Sequence, residues 1–397
     1  MMKVLIAEDE PVSRAVLQKT LEKWGYEVAA AENGARALEA FRKDHFSFVI
    51  TDWMMPEMDG LELVRQIRGL PSSDYVYIIM LTARSEKSDL IAGMDNGADD
   101  FVAKPFDGDE LRVRLRAGER VLRLEEKLSR RNQELQKINA RLKLDLETAA
   151  EIQHSLLPRR PPVLEGINIA WRLRPCDELA GDILNIFNLD EEEIGLYVLD
   201  VSGHGVPAAL LAVTLSRILS PVMDQASLLK SHSYSLKGYR ITPPAGVANQ
   251  LNKRFQADPA NGQFFTLLYG ILNKKTRRLR YVSSGHPGMI YLSHGSEAAV
   301  LQSPSLPIGF KEDVEYPEYT LQLYPGDRLY LYSDGIPEAE DSRGDFFGTE
   351  RMISALRECR QLPLEESLDK LLQTVERWSG GAILKDDATL LGIEIKP

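Results

Sequence analysis

Two sets of acidic residues stand where short apolar runs end. In the first, Glu8 and Asp9 follow KVLIA, Asp52 follows FSFVI, Thr82 closes YVYIIML and Lys104 follows DDFVA. A carboxylate such as Asp52 can attack a phosphoryl group only when the negative charge on both partners is offset, which a magnesium ion held by hard oxygen ligands does. Glu8 and Asp9 would help to hold that ion. The Lys104 ammonium would pair with the added phosphoryl oxygens, and the Thr82 hydroxyl would hydrogen-bond to one of them. Any one of these residues alone reads as a turn or helix-cap group. Their joint placement at four strand ends points to a phosphate-accepting pocket.

The second set is Asp182 in AGDI, Asp200 in LDVSGHG, Asp334 in YSDG, and Asp386 and Asp387 in KDDATLL. An all-carboxylate, cysteine-free set suits Mg²⁺ or Mn²⁺ rather than zinc, and glycine beside an aspartate lets backbone approach a metal closely. Chemistry alone leaves two readings open, a metal-dependent hydrolase and ordinary turn or cap aspartates. Among the neighbouring groups, His204 is a candidate general acid, able to return a proton to a departing serine oxygen near neutral pH. His286 in SSGHPG reads as a turn residue and His154 as a helix-surface group. Arg172 and Arg174 are candidates for a substrate phosphate or for a solvated strand face.

The elements that must position these groups fall into three stretches. Residues 1–120 alternate apolar runs with amphipathic patterns at 11–24, 34–43, 60–69, 86–96 and 108–117. Such alternation predicts an α/β, doubly wound fold with a five-stranded parallel sheet that binds ligands at the strands' carboxyl ends. Over 121–157, Val121, Leu124, Leu128, Arg131, Leu135, Ile138, Leu142, Asp145, Ala149, Ile152 and Leu156 share one heptad seam. That spacing predicts a coiled-coil linker helix, with Arg131 and Asp145 fixing register and Gly118 upstream as a hinge. Residues 158–397 mix strand-like runs with helical patterns at 206–221, 244–256 and 349–376, an α+β domain with antiparallel sheets. The weakly periodic segment 224–242 reads as a loop or flap.

Size and composition fit this division. A chain of 397 residues exceeds one ordinary core, and its 44% hydrophobic and 27% charged residues are globular values. The net charge of −11, with no strongly basic segment, argues against nucleic acid as a partner. Cys176 and Cys359 are isolated, so neither a disulfide framework nor a zinc site is expected, and a reducing cytoplasm fits. No apolar run is long enough for a membrane span, and the N-terminus lacks an export signal.

The motifs AEDE, TDWMMPEMDG, LTAR and AKPF resemble the receiver domains of two-component response regulators over residues 1–118. The resemblance implies that a sensor histidine kinase supplies phosphate to Asp52. It also implies that Met54 lends a backbone carbonyl to the Mg²⁺ site of Glu8, Asp9 and Asp52. Lys104–Pro105 is expected to be cis. Thr82, Phe101 and Lys104 would form the switch.

EIQHSLLP, AGDIL, LDVSGHGVPAALLAVTL, YVSSGHPGMIYL, YPGDRLYLYSDGIPEAED and DDATLLGIEI resemble, in order, the SpoIIE-like bacterial metal-dependent phosphatases over 149–396. This resemblance implies an αββα sandwich, a water nucleophile and two Mn²⁺ or Mg²⁺ ions. Asp200 would bridge the ions and Val201 would contribute its backbone carbonyl. Asp182, Asp334 and Asp386 would supply the other contacts. The usual Gly-Gly-Asp-x-x-Asp reads here Ala180-Gly181-Asp182-Ile183-Leu184-Asn185, so one carboxylate is replaced by an amide. By the same resemblance the substrate is a phosphorylated STAS-type anti-sigma-factor antagonist in partner-switching control of transcription. The chain is expected to dimerise through its coiled coil. The alternative is a receiver-controlled adaptor whose inactive phosphatase-like domain binds a sigma factor or another partner.

Overall fold

The computed structural model describes residues 2–70, 75–82, 94–158, 162, 164–223, 225–234, 238–256, 262–295, 297–382 and 384–396. The chain divides into two compact units, Met1–Arg141 and Leu142–Pro397.

In the first unit β1 (Lys3–Ala7), β2 (Glu27–Ala31), β3 (Phe48–Asp52), β4 (Tyr77–Thr82) and β5 (Asp100–Ala103) form one sheet in the order β2-β1-β3-β4-β5. Every pairing is parallel. β3 and β4 are buried along their whole length because helices cover both faces, which is why they read as unbroken apolar runs. One core lies around Leu5, Val49 and Ile78, the other around Ile6, Phe48 and Ile79. The helices are α1 (Pro11–Lys23), α2 (Gly34–Lys43), α3 (Gly60–Arg68) and the start of α4 (Gly108–His154). Asn33 and Asp59 cap α2 and α3 by accepting the Arg36 and Glu62 backbone N–H groups, each at a helix's otherwise unpaired N-terminus. The helical pattern expected at 86–96 lies largely outside the described residues.

α4 is continuous through Gly118, so the expected hinge is absent. The reason is steric: a Cβ at 118 would come within 2.5 Å of the Phe48 ring and 2.7 Å of the Tyr77 ring. This glycine admits the helix to the sheet. Further along α4, Leu124, Leu128, Leu135, Ile138, Leu142 and Ile152 are 54–62% exposed, so the apolar seam is left largely uncovered by the described residues.

The second unit stacks two five-stranded antiparallel sheets between two pairs of helices. One sheet contains β7 (Ile183–Asn188), β8 (Glu193–Val201), β11 (Phe265–Asn273), β12 (Arg278–Ser284) and β15 (Tyr319–Gln322), ordered β15-β12-β11-β8-β7. The other contains β6 (Ile167–Arg174), β13 (Met289–Leu292), β14 (Ala298–Leu301), β16 (Arg328–Tyr332) and β17 (Ala388–Ile395), ordered β14-β13-β16-β17-β6. α5 (Val206–Ile218) and α6 (Pro244–Arg254) cover the first sheet, and α7 (Gly348–Glu358) and α8 (Leu364–Trp378) cover the second. The result is an αββα sandwich.

Two expectations are corrected. The single helix expected at 349–376 is two, because Pro363 has no N–H to continue the ladder and becomes the cap of α8. The expected loop at 224–242 contains a short hairpin, β9 (Lys230–His232) with β10 (Tyr239–Ile241), while 224 and 235–237 lie outside the described residues.

Candidate functional sites

The carboxyl ends of the parallel strands bring the first set together. Ligand oxygens of Glu8, Asp9 and Asp52 lie within 4.8 Å of one another. Lys104 Nζ donates to Asp52 Oδ2 at 2.6 Å and to Glu8 Oε1 and Oε2 at 2.9 and 2.7 Å. Lys104, expected to face added phosphoryl oxygens, is thus held by the acid that would receive the phosphate, Asp52, and by Glu8 of the expected metal site. Burial, then the nearby Asp52 charge, raises the Glu8 carboxyl above its ordinary value despite the lysine. Burial pulls the Lys104 ammonium down, but its bonds to Asp52 and Glu8 outweigh this and leave it raised. Thr82 is buried at the end of β4, and Phe101 is half-buried on β5 against the Leu5 core. Met54 is exposed, and the Lys104–Pro105 peptide is cis. Three hard oxygen donors beside an exchangeable ammonium fit Mg²⁺.

The second set gathers at one edge of the sandwich. Asp200 ends β8 in the first sheet; Asp182 precedes β7, Asp334 follows β16 and Asp386 precedes β17. They are spread more widely than the first set, for among the described residues no three of these four place ligand atoms within 4.8 Å. They nonetheless feel one another. Burial, followed by the charges of Asp334 and Asp386, pushes Asp200 up to about 8. Burial and then Asp386 push Asp334 to about 6. Burial raises Asp386, and burial with Asp200 and Asp387 raises Asp182 well above the carboxylate range. Asp182 Oδ2 accepts the Thr389 hydroxyl at 2.5 Å, whereas its buried Oδ1 has no hydrogen-bond partner among the described residues. An orphaned buried oxygen and mutually raised acids fit hard divalent cations, which would supply the missing positive charge. The Val201 carbonyl lies 3.1 Å from where a Cβ at Gly181 would sit, so glycine keeps that oxygen uncrowded.

Around this edge several roles sharpen. Asp387 is spent on backbone: it accepts from Cys176 N at 2.8 Å, Gly181 N at 2.6 Å and Asp182 N at 3.2 Å, fixing the turn that carries Asp182. Cys176, for which the sequence suggested no partner, has its sulfur within 4.8 Å of Asp386 and Asp387 oxygens. Asn185 Oδ1 accepts its neighbour's N–H, from Ile186 at 2.8 Å. The His204 side chain is 74% exposed, with Nδ1 4.0 Å from Asp177. His286 is buried against Thr266 Oγ1 at 2.7 Å, and burial pushes its imidazole down to about 3, so it is a neutral structural group.

The two arginines are committed elsewhere. Arg172 donates to both Asp369 oxygens at 2.7 and 2.8 Å, and Arg174 pairs with Glu376. Both carboxylates stand on α8, so these candidates for phosphate tie β6 to its covering helix instead.

One residue escaped the sequence reading. Gln153, near the end of α4, donates to the Ala180 carbonyl at 2.6 Å and accepts the Ala180 N–H at 3.1 Å. The EIQHSLLP motif flagged the segment, but nothing in it named a partner 27 residues away.

The model of the Stage II sporulation protein E (SpoIIE) family matches residues 190–396, more than half of the chain. The chain belongs to the SpoIIE family. Its SpoIIE region follows a stretch, residues 4–116, that matches the response regulator receiver domain. Phosphoserine phosphatase RsbU of Bacillus subtilis (strain 168) is 29% identical over 214 residues, 54% of this chain and 59% of RsbU. Probable transcriptional regulator ycf27 of Pyropia yezoensis is 45% identical over 127 residues, 32% of this chain and 50% of that protein. The chain therefore spans between half and three-fifths of the length of these curated relatives. The solved SiaA-PP2C domain of Pseudomonas aeruginosa superposes with a TM-score of 0.54 at 22% identity, covering 65% of this chain and 98% of that one. The SpoIIE region thus has the PP2C fold.

Proposed function

We propose that this chain is a receiver-governed protein serine/threonine phosphatase of the cytoplasm. The observation that carries the reading is the electrostatic state of the second site. Aspartates from both sheets of a PP2C fold are buried together, raised by one another, and offered no lysine or arginine partner among the described residues. Asp182, Asp200, Asp334, Asp386 and the Val201 carbonyl would hold two Mn²⁺ or Mg²⁺ ions. Bound there, the ions would neutralise the phosphoryl oxygens and activate water for attack. Asp387 keeps the Asp182 turn in place. His204, solvent-facing beside Asp386, is positioned to return a proton to the departing serine oxygen.

In the receiver, Asp52 would take phosphate from a sensor histidine kinase, with Mg²⁺ held by Glu8, Asp9, Asp52 and the Met54 carbonyl. Lys104 would then exchange its carboxylate partners for phosphoryl oxygens, and Thr82 and Phe101 would respond. The domains are 1–120 and 158–397, joined by a linker at 121–157 whose uncovered seam pairs with that of a second copy. The Gln153–Ala180 pair, two residues from Asp182, gives α4 a direct hold on the catalytic edge. The substrate is a phosphorylated STAS-type anti-sigma-factor antagonist.

The test is manganese-dependent phosphate release from a phosphoserine STAS protein, with and without beryllofluoride on the receiver. Turnover that changes about 5–150-fold with beryllofluoride supports the reading. Absence of turnover in either state favours the adaptor alternative, whose support is the amide at Asn185.

A further inference from the structure

A second polar concavity lies on the other end of α5. The helix starts beside Asp200 at Val206, runs 13 residues and ends at Ile218, whose carbonyl accepts the Leu228 N–H. At 1.5 Å per residue this places residues 227–231 about 20 Å from the aspartate edge. There the β9–β10 hairpin and the flank of α6 border an open cavity of about 350 Å³. Lys230, Arg240 and Arg254 line it, with Ser231, Thr242 and Gln250 between them, and no Asp or Glu is among its described lining residues.

None of the three cations forms an ion pair among the described residues. Lys230 lies over the Tyr239 ring at 4.9 Å, and Arg254 donates to the Ala226 carbonyl at 3.2 Å. In a chain of net charge −11, three cations lining one hollow without a carboxylate among the described residues is an arrangement that an anion would relieve. Guanidinium, ammonium and hydroxyl donors are the groups that recognise carboxylate or phosphate oxygens. The volume selects among anions, since a single phosphate would fill a small part of it while two or three acidic side chains would occupy it. The distance matters too, because an anion here cannot be the phosphoryl group under attack.

We propose that this cavity is a docking site for an acidic segment of the phosphoprotein substrate, remote from the seryl phosphate. The inference rests on the phosphatase reading above and adds to it a determinant of substrate choice. Binding energy gained about 20 Å from the reaction, at the spacing given by α5, is uniform between ground and transition states. It therefore acts on KM rather than kcat.

Two assays on the full chain test it, using wild type, the double variant Lys230→Glu/Arg240→Glu, and the milder Arg254→Gln. The first follows manganese-dependent hydrolysis of an aryl phosphate, too small to reach the cavity, and of a phosphorylated STAS protein. The expected result is unchanged aryl phosphate kinetics, which also reports an intact fold. KM for the protein should rise about tenfold or more in the double variant and severalfold in Arg254→Gln, with kcat nearly constant. Equal protein and aryl phosphate kinetics in all three chains overturns the docking site and leaves the phosphatase standing. The second assay does not depend on turnover: fluorescence anisotropy with labelled hexaglutamate, a hexaglutamine control and inorganic phosphate as competitor. Hexaglutamate bound by wild type and weakened at least tenfold in the double variant supports the site. Binding that hexaglutamine matches, or that the variant retains, overturns it. Displacement by millimolar phosphate alone would identify a free-phosphate site and equally overturn the acidic-segment assignment.

Discussion

The two acidic sites differ in charge: the receiver pocket contains its own cation, and the second edge has none among the described residues. Lys104 closes on Glu8 and Asp52, so part of the pocket's negative charge is offset before any metal arrives. At the other site Asp200 and Asp334 are driven to about 8 and about 6 because burial and like charge act with no lysine or arginine to offset them among the described residues. On the proposed reading, a pocket with a resident cation would exchange that cation's partners when phosphate arrives, whereas an edge without one would hold its ions. The lysine would make the first site responsive, and the lack of one among the described residues would make the second favour divalent cations.

The largest test of this contrast is Asp200→Asn. Removing the acid expected to bridge the two ions should lower manganese-dependent aryl phosphate hydrolysis about a thousandfold or more, while acetyl phosphate still labels the receiver. Next, Asp52→Asn should cut that labelling about a hundredfold, read by phosphate-affinity electrophoresis, and leave basal aryl phosphate hydrolysis unchanged. Lys104→Met would make the first site resemble the second. With the resident cation gone, Mg²⁺ titrated against the fluorescence of Trp53, beside Asp52, should bind about tenfold more tightly. Unchanged Mg²⁺ affinity would show that the lysine does not govern the balance.

The smallest effect concerns stability. Asp200 and Asp334 have folded values above the roughly 3.9 of an unfolded aspartate, so their contribution is fully present below about pH 4. It is lost as pH rises through about 6 and about 8. The metal-free chain should therefore melt about 5 °C lower at pH 8.5 than at pH 5.5 in the transition of the second unit. Mn²⁺ should restore more at the higher pH, where it displaces fewer protons. Calorimetry that shows a melting temperature independent of pH would mean that the acids are not strained.

Much of the receiver was legible in its sequence because a parallel sheet writes its strands as apolar runs and its ligands at their ends, and β1 and β3–β5 carried all five groups of the pocket. The second site was legible as aspartates beside glycine but not as a geometry, since Asp182 and Asp387 meet across 205 residues. Long-range partners account for the other misses. Arg172 reads as a phosphate ligand until Asp369 is found opposite it on α8. Gly118 reads as a hinge until Phe48 and Tyr77 are seen against it. The break at Pro363 was available locally, but the apolar spacing on both sides ran through it.

The Gln153–Ala180 pair has a consequence for how this family's sequences can drift. A carboxamide that both donates to and accepts from one residue's main chain is indifferent to that residue's side chain. Position 180 can therefore hold alanine where glycine is usual, and the contact survives. Position 153 has no such latitude: asparagine is a methylene too short, and glutamate offers no donor. One partner's side chain is free of the contact and the other's is not, so substitutions at 153 should uncouple the helix from the Asp182 edge, whereas alanine and glycine at the buried position 180 should both keep it.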